Sequence, residues 1–132
     1  TVITPNVPEA EVLSGRKITC RADVRAVARQ LAEAYGCSVL VKGGHAVGDL
    51  KAAEDTLYDG KEYFAYEMPW IDNPNSTHGT GCSLAAALVA ELTRGRSLPE
   101  AVKGAKAYVH AAIKNSYLVG KDCGVLGFTW KC

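Results

Sequence analysis

Apolar positions recur at helical spacing in three stretches of the chain and collapse to short strand-like runs between them. Across 22–35, Val24, Val27, Leu31 and Ala34 fall on one helical face, with Asp23 near the start and Gly36 placed to stop the helix. Leu84, Leu88 and Leu92, with Ala85 and Val89 beside them, predict a second buried face that ends at Gly95. Val102, Ala105, Val109, Ala112 and Ile113 predict a third, opened by Ser97 and Glu100 as a capping box with Pro99 between them. Asn6-Val7-Pro8-Glu9 reads as another helix start, with Asn6 as cap and Glu9 closing the box.

The strand-like runs are shorter. Thr1 to Thr4 is β-branched and cut by Pro5, which fits the end of a strand, and Ser38 to Val41 reads as a buried parallel strand behind the 22–35 helix. Asp55–Tyr58 and Glu62–Glu67 flank Asp59-Gly60, the strongest hairpin signal in the chain, and Pro69 ends the second arm. The 46–54 segment reads as a polar loop, and the glycine-containing tail after Ser116 is assigned no regular structure.

One junction carries chemistry. Ser76-Thr77-His78-Gly79-Thr80-Gly81-Cys82-Ser83 runs straight into an alanine- and leucine-rich helix. Glycines let the backbone adopt positive φ and approach a ligand, and the unpaired N–H groups of a helix start attract anions. The dinucleotide fingerprint is excluded because Leu84 stands where its third glycine would be, and Asn73-Pro74-Asn75 is no buried strand. A P-loop is excluded because Cys82 stands at the position of its lysine. Lys42, in the Lys42-Gly43-Gly44-His45 turn at the carboxyl end of a predicted parallel strand, is a second candidate phosphate contact. His45 is read as shaping that turn.

The glycine stretch resembles the anion hole of the ribokinase superfamily, in the form found in the hydroxymethylpyrimidine/phosphomethylpyrimidine kinases of thiamine biosynthesis. Most of that superfamily carries Asp at the last position of the glycine motif; the pyrimidine-kinase branch carries Cys, as Cys82 is here. Thr4-Pro5-Asn6 with Glu9-Ala10, Val39 to His45, and Ala105 to Ile113 agree with the same family. The resemblance implies the C-terminal portion of a ribokinase-like α/β fold, a mostly parallel sheet flanked by helices with an edge hairpin. It implies that residues 1–132 are one half of a single kinase domain whose N-terminal, substrate-binding half is absent.

It also implies the activity: phosphorylation of hydroxymethylpyrimidine, and then of its monophosphate, with ATP and Mg²⁺. Gly79, Thr80, Gly81 and Cys82 would serve the transferring phosphoryl and the attacking oxygen, Lys42, Thr77 and His78 would border the nucleotide phosphates, and Asn6 and Glu9 would hold Mg²⁺ through water. Pyridoxal or pyridoxamine kinase is the neighbouring alternative, since that substrate also bears a hydroxymethyl on an aromatic ring. A nucleotide-binding fragment without catalysis is another. A cysteine hydrolase built on Cys82 would need a histidine partner, and no such pattern is present.

Composition narrows the classes further. With 48% hydrophobic and 22% charged residues the chain can build a core, and its formal charge of +1, from 15 basic and 14 acidic residues interspersed, favours neither nucleic acid nor an anionic membrane. Cys20, Cys37, Cys82, Cys123 and Cys132 form no CxxC pair and leave one thiol unpaired under any scheme, which fits a reducing cytoplasm. No apolar run is long enough to span a bilayer and no signal peptide is evident. The partners expected are a small pyrimidine and the missing N-terminal half or a second chain, with a homodimer as one form of the latter.

Overall fold

The short β-branched run before Pro5 forms β1 (Val2–Ile3), and the capping box behind it opens α1 (Val7–Ser14). The structure is a computed structural model that describes residues 2–43, 52–72, 74–121 and 123–128. It divides into two units, Thr1–Trp70 and Ile71–Cys132.

In the first unit, α1 ends at Gly15 and α2 (Arg21–Tyr35) at Gly36, each glycine in the left-handed region at φ 68° and 62°. The apolar face of α2 is Val24, Val27, Ala28, Leu31 and Ala32, packed with Ala10, Val39, Val41 and Tyr58. Each such buried Val or Leu contributes about 1.5–3 kcal/mol by leaving water. Ala34 is exposed and Ala32 is buried, so the last position of the face lies two residues earlier than the periodicity implies.

The sheet of this unit has the order β1-β2-β3-β4, with β2 Ser38–Gly43, β3 Ala52–Tyr58 and β4 Tyr63–Pro69. Only β1 and β2 are parallel, in the register Ile3↔Val39; β2 pairs β3 antiparallel (Lys42↔Asp55) and β3 pairs β4 antiparallel (Glu54↔Glu67). The sheet is therefore mixed, which corrects the mostly parallel sheet expected from the sequence. The reason lies in the Asp59-Gly60 turn: it places its hairpin directly beside β2, so two of the three ladders are antiparallel. Strand β3 also begins at Ala52, inside the stretch read as a polar loop; the rest of that stretch, with Gly44 and His45, lies outside the described residues.

The second unit pairs α3 (Thr80–Thr93) with α4 (Leu98–Lys114) as a helical hairpin across the Gly95 turn, φ 80°. Leu84 and Leu88 are buried and Leu92 is half-buried, but Val89 is 60% exposed, so the buried stripe of α3 is narrower than its apolar sequence. The face of α4 is Ala101, Val102, Ala105, Lys106, Val109 and Ala112. The tail forms an antiparallel hairpin of β5 (Tyr117–Val119) and β6 (Cys123–Val125), where no regular structure was expected. Its strands are three residues each, too short to display an alternation. Among the described residues no helix is long and apolar enough to cross a membrane.

Candidate functional site

The glycine junction is built by fixing a loop against the end of α4 and then releasing it into a helix. Asn75 Nδ2 donates to the Ser116 carbonyl at 2.7 Å, and the Ser76 amide donates to the Ser116 hydroxyl at 3.4 Å. Ser76 is buried, and its Oγ accepts the His78 amide at 3.1 Å, which curls the chain at Thr77 and His78. Gly79 is the N-cap of α3 at φ 83°, a conformation that disfavours a side chain.

From there the backbone is helical. The first intrahelical bond runs from the Ser83 amide to the Gly79 carbonyl at 3.0 Å, reinforced by the Ser83 hydroxyl at 2.8 Å. The N–H groups of Thr80, Gly81 and Cys82 precede it and have no intrahelical acceptor. Three adjacent donors therefore stand at the positive end of a fourteen-residue helix, with the exposed Cys82 at its third position. Gly81 is helical, so of the two glycines only Gly79 uses positive φ. No acidic side chain occupies the first turn of α3, in contrast with α1, α2 and α4. An anion there meets unshielded amides.

Residues the sequence left aside complete this unit. Asn75, Ser76 and Ser116 fix the loop, and Gly124 lies so close to it that a Cβ would overlap the Asn75 carbonyl. The spacing of 75 and 116 along the chain hides this group; only the fold reveals it.

The other candidates gather in the first unit. Asn6 forms a parallel bridge with Lys42, whose amide donates to the Pro5 carbonyl at 2.8 Å. That joins the start of α1 to the carboxyl end of β2 and sets Asn6, Glu9 and Lys42 around one end of the sheet. The Asn6 amide donates to Glu9 Oε2 at 2.7 Å, and the Glu9 amide donates to Asn6 Oδ1 at 2.8 Å. Opposite Lys42 in register stands Asp55, buried, whose Oδ1 accepts the Gly43 amide at 2.9 Å. A Cβ at Gly43 would overlap the Glu54 carbonyl, so only glycine lets β2 and β3 approach there. The sequence reading placed Asp55 in a hairpin arm without a role; its burial was the missing signal.

The nine candidates thus form two sets, Asn6, Glu9 and Lys42 in one unit and Thr77 to Cys82 in the other. Among the described residues no three His, Cys, Asp or Glu side chains could together hold a metal ion.

The chain is an α/β protein whose glycine junction opens directly into a helix N-terminus. The family model described as phosphomethylpyrimidine kinase matches residues 1–127, and the chain belongs to that family. The hydroxymethylpyrimidine/phosphomethylpyrimidine kinase of Aquifex aeolicus is 41% identical over 127 residues, covering 96% of this chain and 49% of that protein. The pyridoxal kinase of Staphylococcus aureus in complex with ADP superposes with a TM-score of 0.88 at 36% identity, over 97% of this chain and 46% of that one. A phosphomethylpyrimidine kinase from Clostridium difficile 630 superposes with a TM-score of 0.69 at 33% identity, over 85% and 42%. The chain spans about half the length of the relatives it matches.

Proposed function

We propose that this chain supplies the phosphoryl-transfer half of an ATP-dependent kinase that phosphorylates hydroxymethylpyrimidine and then its monophosphate. The observation that carries this is the Gly79–Cys82 junction, where three amides without an intrahelical acceptor open a helix that has no acidic first turn, in a chain of this family. Phosphoryl transfer calls for positioning and charge neutralisation and little covalent help. The amides of Thr80, Gly81 and Cys82 would receive the transferring phosphoryl, Thr77 and His78 would border the nucleotide phosphates, and the Lys42 ammonium would neutralise a phosphate oxygen as a point charge. Cys82 Sγ would stand beside the attacking oxygen.

Mg²⁺ suits the donors present. Glu9 uses Oε2 in the cap, which leaves Oε1, a hard and exposed oxygen, for a cation that keeps most of its waters. When bound, the ion would neutralise charge between the phosphates. Asn6 Oδ1 already accepts the Glu9 amide, so Asn6 acts chiefly by holding that carboxylate in place. The pyrimidine itself would be held by the N-terminal half of the fold, supplied by a longer chain or a second one.

A second reading, pyridoxal kinase, is favoured by the superposition on the Staphylococcus aureus enzyme. One experiment addresses both. The chain is co-expressed with the half of the Aquifex aeolicus kinase that has no counterpart here, and ADP release is followed with hydroxymethylpyrimidine, its monophosphate and pyridoxal. The expected result is pyrimidine-dependent turnover by the pair and none by the 132-residue chain alone. Full turnover by the isolated chain would show the substrate site to be misplaced. Pyridoxal turnover alone would favour the second reading, and ATP binding without turnover a non-catalytic role.

A further inference from the structure

Helix α3 begins differently from α1, α2 and α4. Each of those opens on a capping box, in which the N-cap side chain accepts the amide three positions on and the acidic side chain there accepts the N-cap amide. Gly79 has no side chain to offer, and no such bond caps α3. A cap of that kind would also occupy an amide that an anion needs. The direction in which Thr80, Gly81 and Cys82 present their N–H groups is therefore set by how the chain enters Gly79.

That entry is held by segments distant in sequence. Ser76, 8% exposed, accepts the His78 amide at 3.1 Å and so fixes the residue before Gly79. Its own amide donates to the Ser116 hydroxyl at 3.4 Å, and Asn75 Nδ2 donates to the Ser116 carbonyl at 2.7 Å. Ser116 is equally buried and stands immediately before β5. From β6, Gly124 presses on the same loop, where a Cβ would overlap the Asn75 carbonyl and crowd the Ser76 Cβ. The tail hairpin thus bears on Asn75 and Ser76 from both of its arms, just ahead of the junction, and all of these residues lie in the second unit.

We propose that Ser76 and Ser116 are positioning residues of the phosphate junction. Ser76 aims the three amides through His78, and Ser116 acts through Ser76, so the pair does from outside what a cap does within the other helices. This rests on the reading of the junction as the place of phosphoryl transfer. Groups around a transferring phosphoryl must be placed closely, since an ångström of error can cost about 10²-fold in rate.

The test has two arms. In the isotope-labelled 132-residue chain, Ser76→Ala and Ser116→Ala should each shift the amide resonances of His78, Thr80, Gly81 and Cys82 and speed exchange at His78, with circular dichroism unchanged. In the kinase reconstituted with the half of the Aquifex aeolicus enzyme that has no counterpart here, Ser76→Ala should lower kcat by on the order of 10²-fold, and Ser116→Ala by less, while KM for hydroxymethylpyrimidine keeps its parent value. Ser76→Thr, which retains the hydroxyl, should recover most of the loss. Because the two residues act in series, the double variant should be no slower than Ser76→Ala. Junction amides that stay in place when Ser116 is replaced overturn the proposal, and so do additive losses, or a lowered urea midpoint with kcat unchanged. A parent complex without turnover overturns the kinase reading instead, and the amide shifts of the chain alone then decide whether the pair positions the junction.

Discussion

Asn6 and Glu9 hold each other through both of their backbone amides, at 2.7 and 2.8 Å, so the residue proposed to meet a metal is also half of a helix cap. The two roles separate by substitution. Asn6→Ala removes the cap acceptor and should cost about 1 kcal/mol, read from the urea midpoint. Glu9→Gln keeps an acceptor for the Asn6 amide and removes the charge, so it should cost less stability but raise the Mg²⁺ concentration needed for turnover in the reconstituted kinase. An unchanged Mg²⁺ requirement would leave Glu9 a cap and nothing more.

Gly79 and Gly81 should respond differently to the same change. Gly79 sits at φ 83°, so Gly79→Ala forces a left-handed alanine and should destabilise by about 1 kcal/mol or more. Gly81 is the second residue of α3, where alanine is a better helix former, so Gly81→Ala should leave the melting temperature unchanged or raise it. Gly81→Val should likewise fold, while its bulk beside the first-turn amides should abolish ATP turnover in the reconstituted enzyme. Normal ATP use by that variant would remove the junction from the mechanism.

Cys82 stands where most of the superfamily resembled by this chain has aspartate. In the reaction proposed above the first acceptor would be a neutral alcohol, which gains from a base, and the second a phosphate monoester, largely ionised at neutral pH with a second pKa of about 6. Cys82 Sγ, on the proposed reading, would stand beside the attacking oxygen of the first acceptor and, unlike a carboxylate, carries no fixed charge towards the second. Cys82→Ala in the reconstituted enzyme should slow the first transfer by roughly 10²-fold and the second much less. Cys82→Asp should harm the second more than the first, because a fixed carboxylate repels the dianion. Single-turnover rates for each step decide this, and equal losses in both would refute it.

The first unit should be least stable at both ends of the acid-to-neutral range. Asp23 accepts bonds from the Thr19 amide and hydroxyl and the Cys20 amide, which lower its pKa from 3.8 to about 2. Its contribution is present above 3.8 and is lost as pH falls towards 2. Burial, and then the hydrogen bond to Glu67, raise Glu54 above its ordinary 4.5, against the pull of Arg21. The charged form is the disfavoured one, so this cost is absent below 4.5 and develops as pH rises through the raised value. Asp23→Asn should flatten the acid limb of a urea-midpoint profile and Glu54→Gln the other. An acid limb unchanged in Asp23→Asn would assign the loss to other carboxylates.

The parts visible in the sequence are those with local causes. The boxes at Asn6/Glu9 and Ser97/Glu100, the stops at Gly36 and Gly95, and the Asp59-Gly60 turn each depend on residues within a few positions, and each is present. Sheet polarity is not legible in the same way, because it depends on the hairpin lying directly beside β2, a contact that no local pattern encodes. Asp55 opposite Lys42, and Ser116 beneath Asn75 and Ser76, escaped notice because distant segments create them and neither has a periodic signature. Which glycine needs positive φ was half right, since a helix can begin between two of them.

The mixed sheet also implies an order of assembly. Strands β3 and β4 are joined by a tight turn and braced by Tyr58 and Tyr63, whose rings lie 4.6 Å apart, so their pairing closes a short loop and can occur on the microsecond scale. Pairing of β1 with β2 must instead close a loop holding two helices, and it gains only a two-residue ladder. Pulse-labelling during refolding should therefore find the β4 amides protected early and those of β1 last. The last part of the first unit to form is thus its parallel edge, Val2 and Ile3.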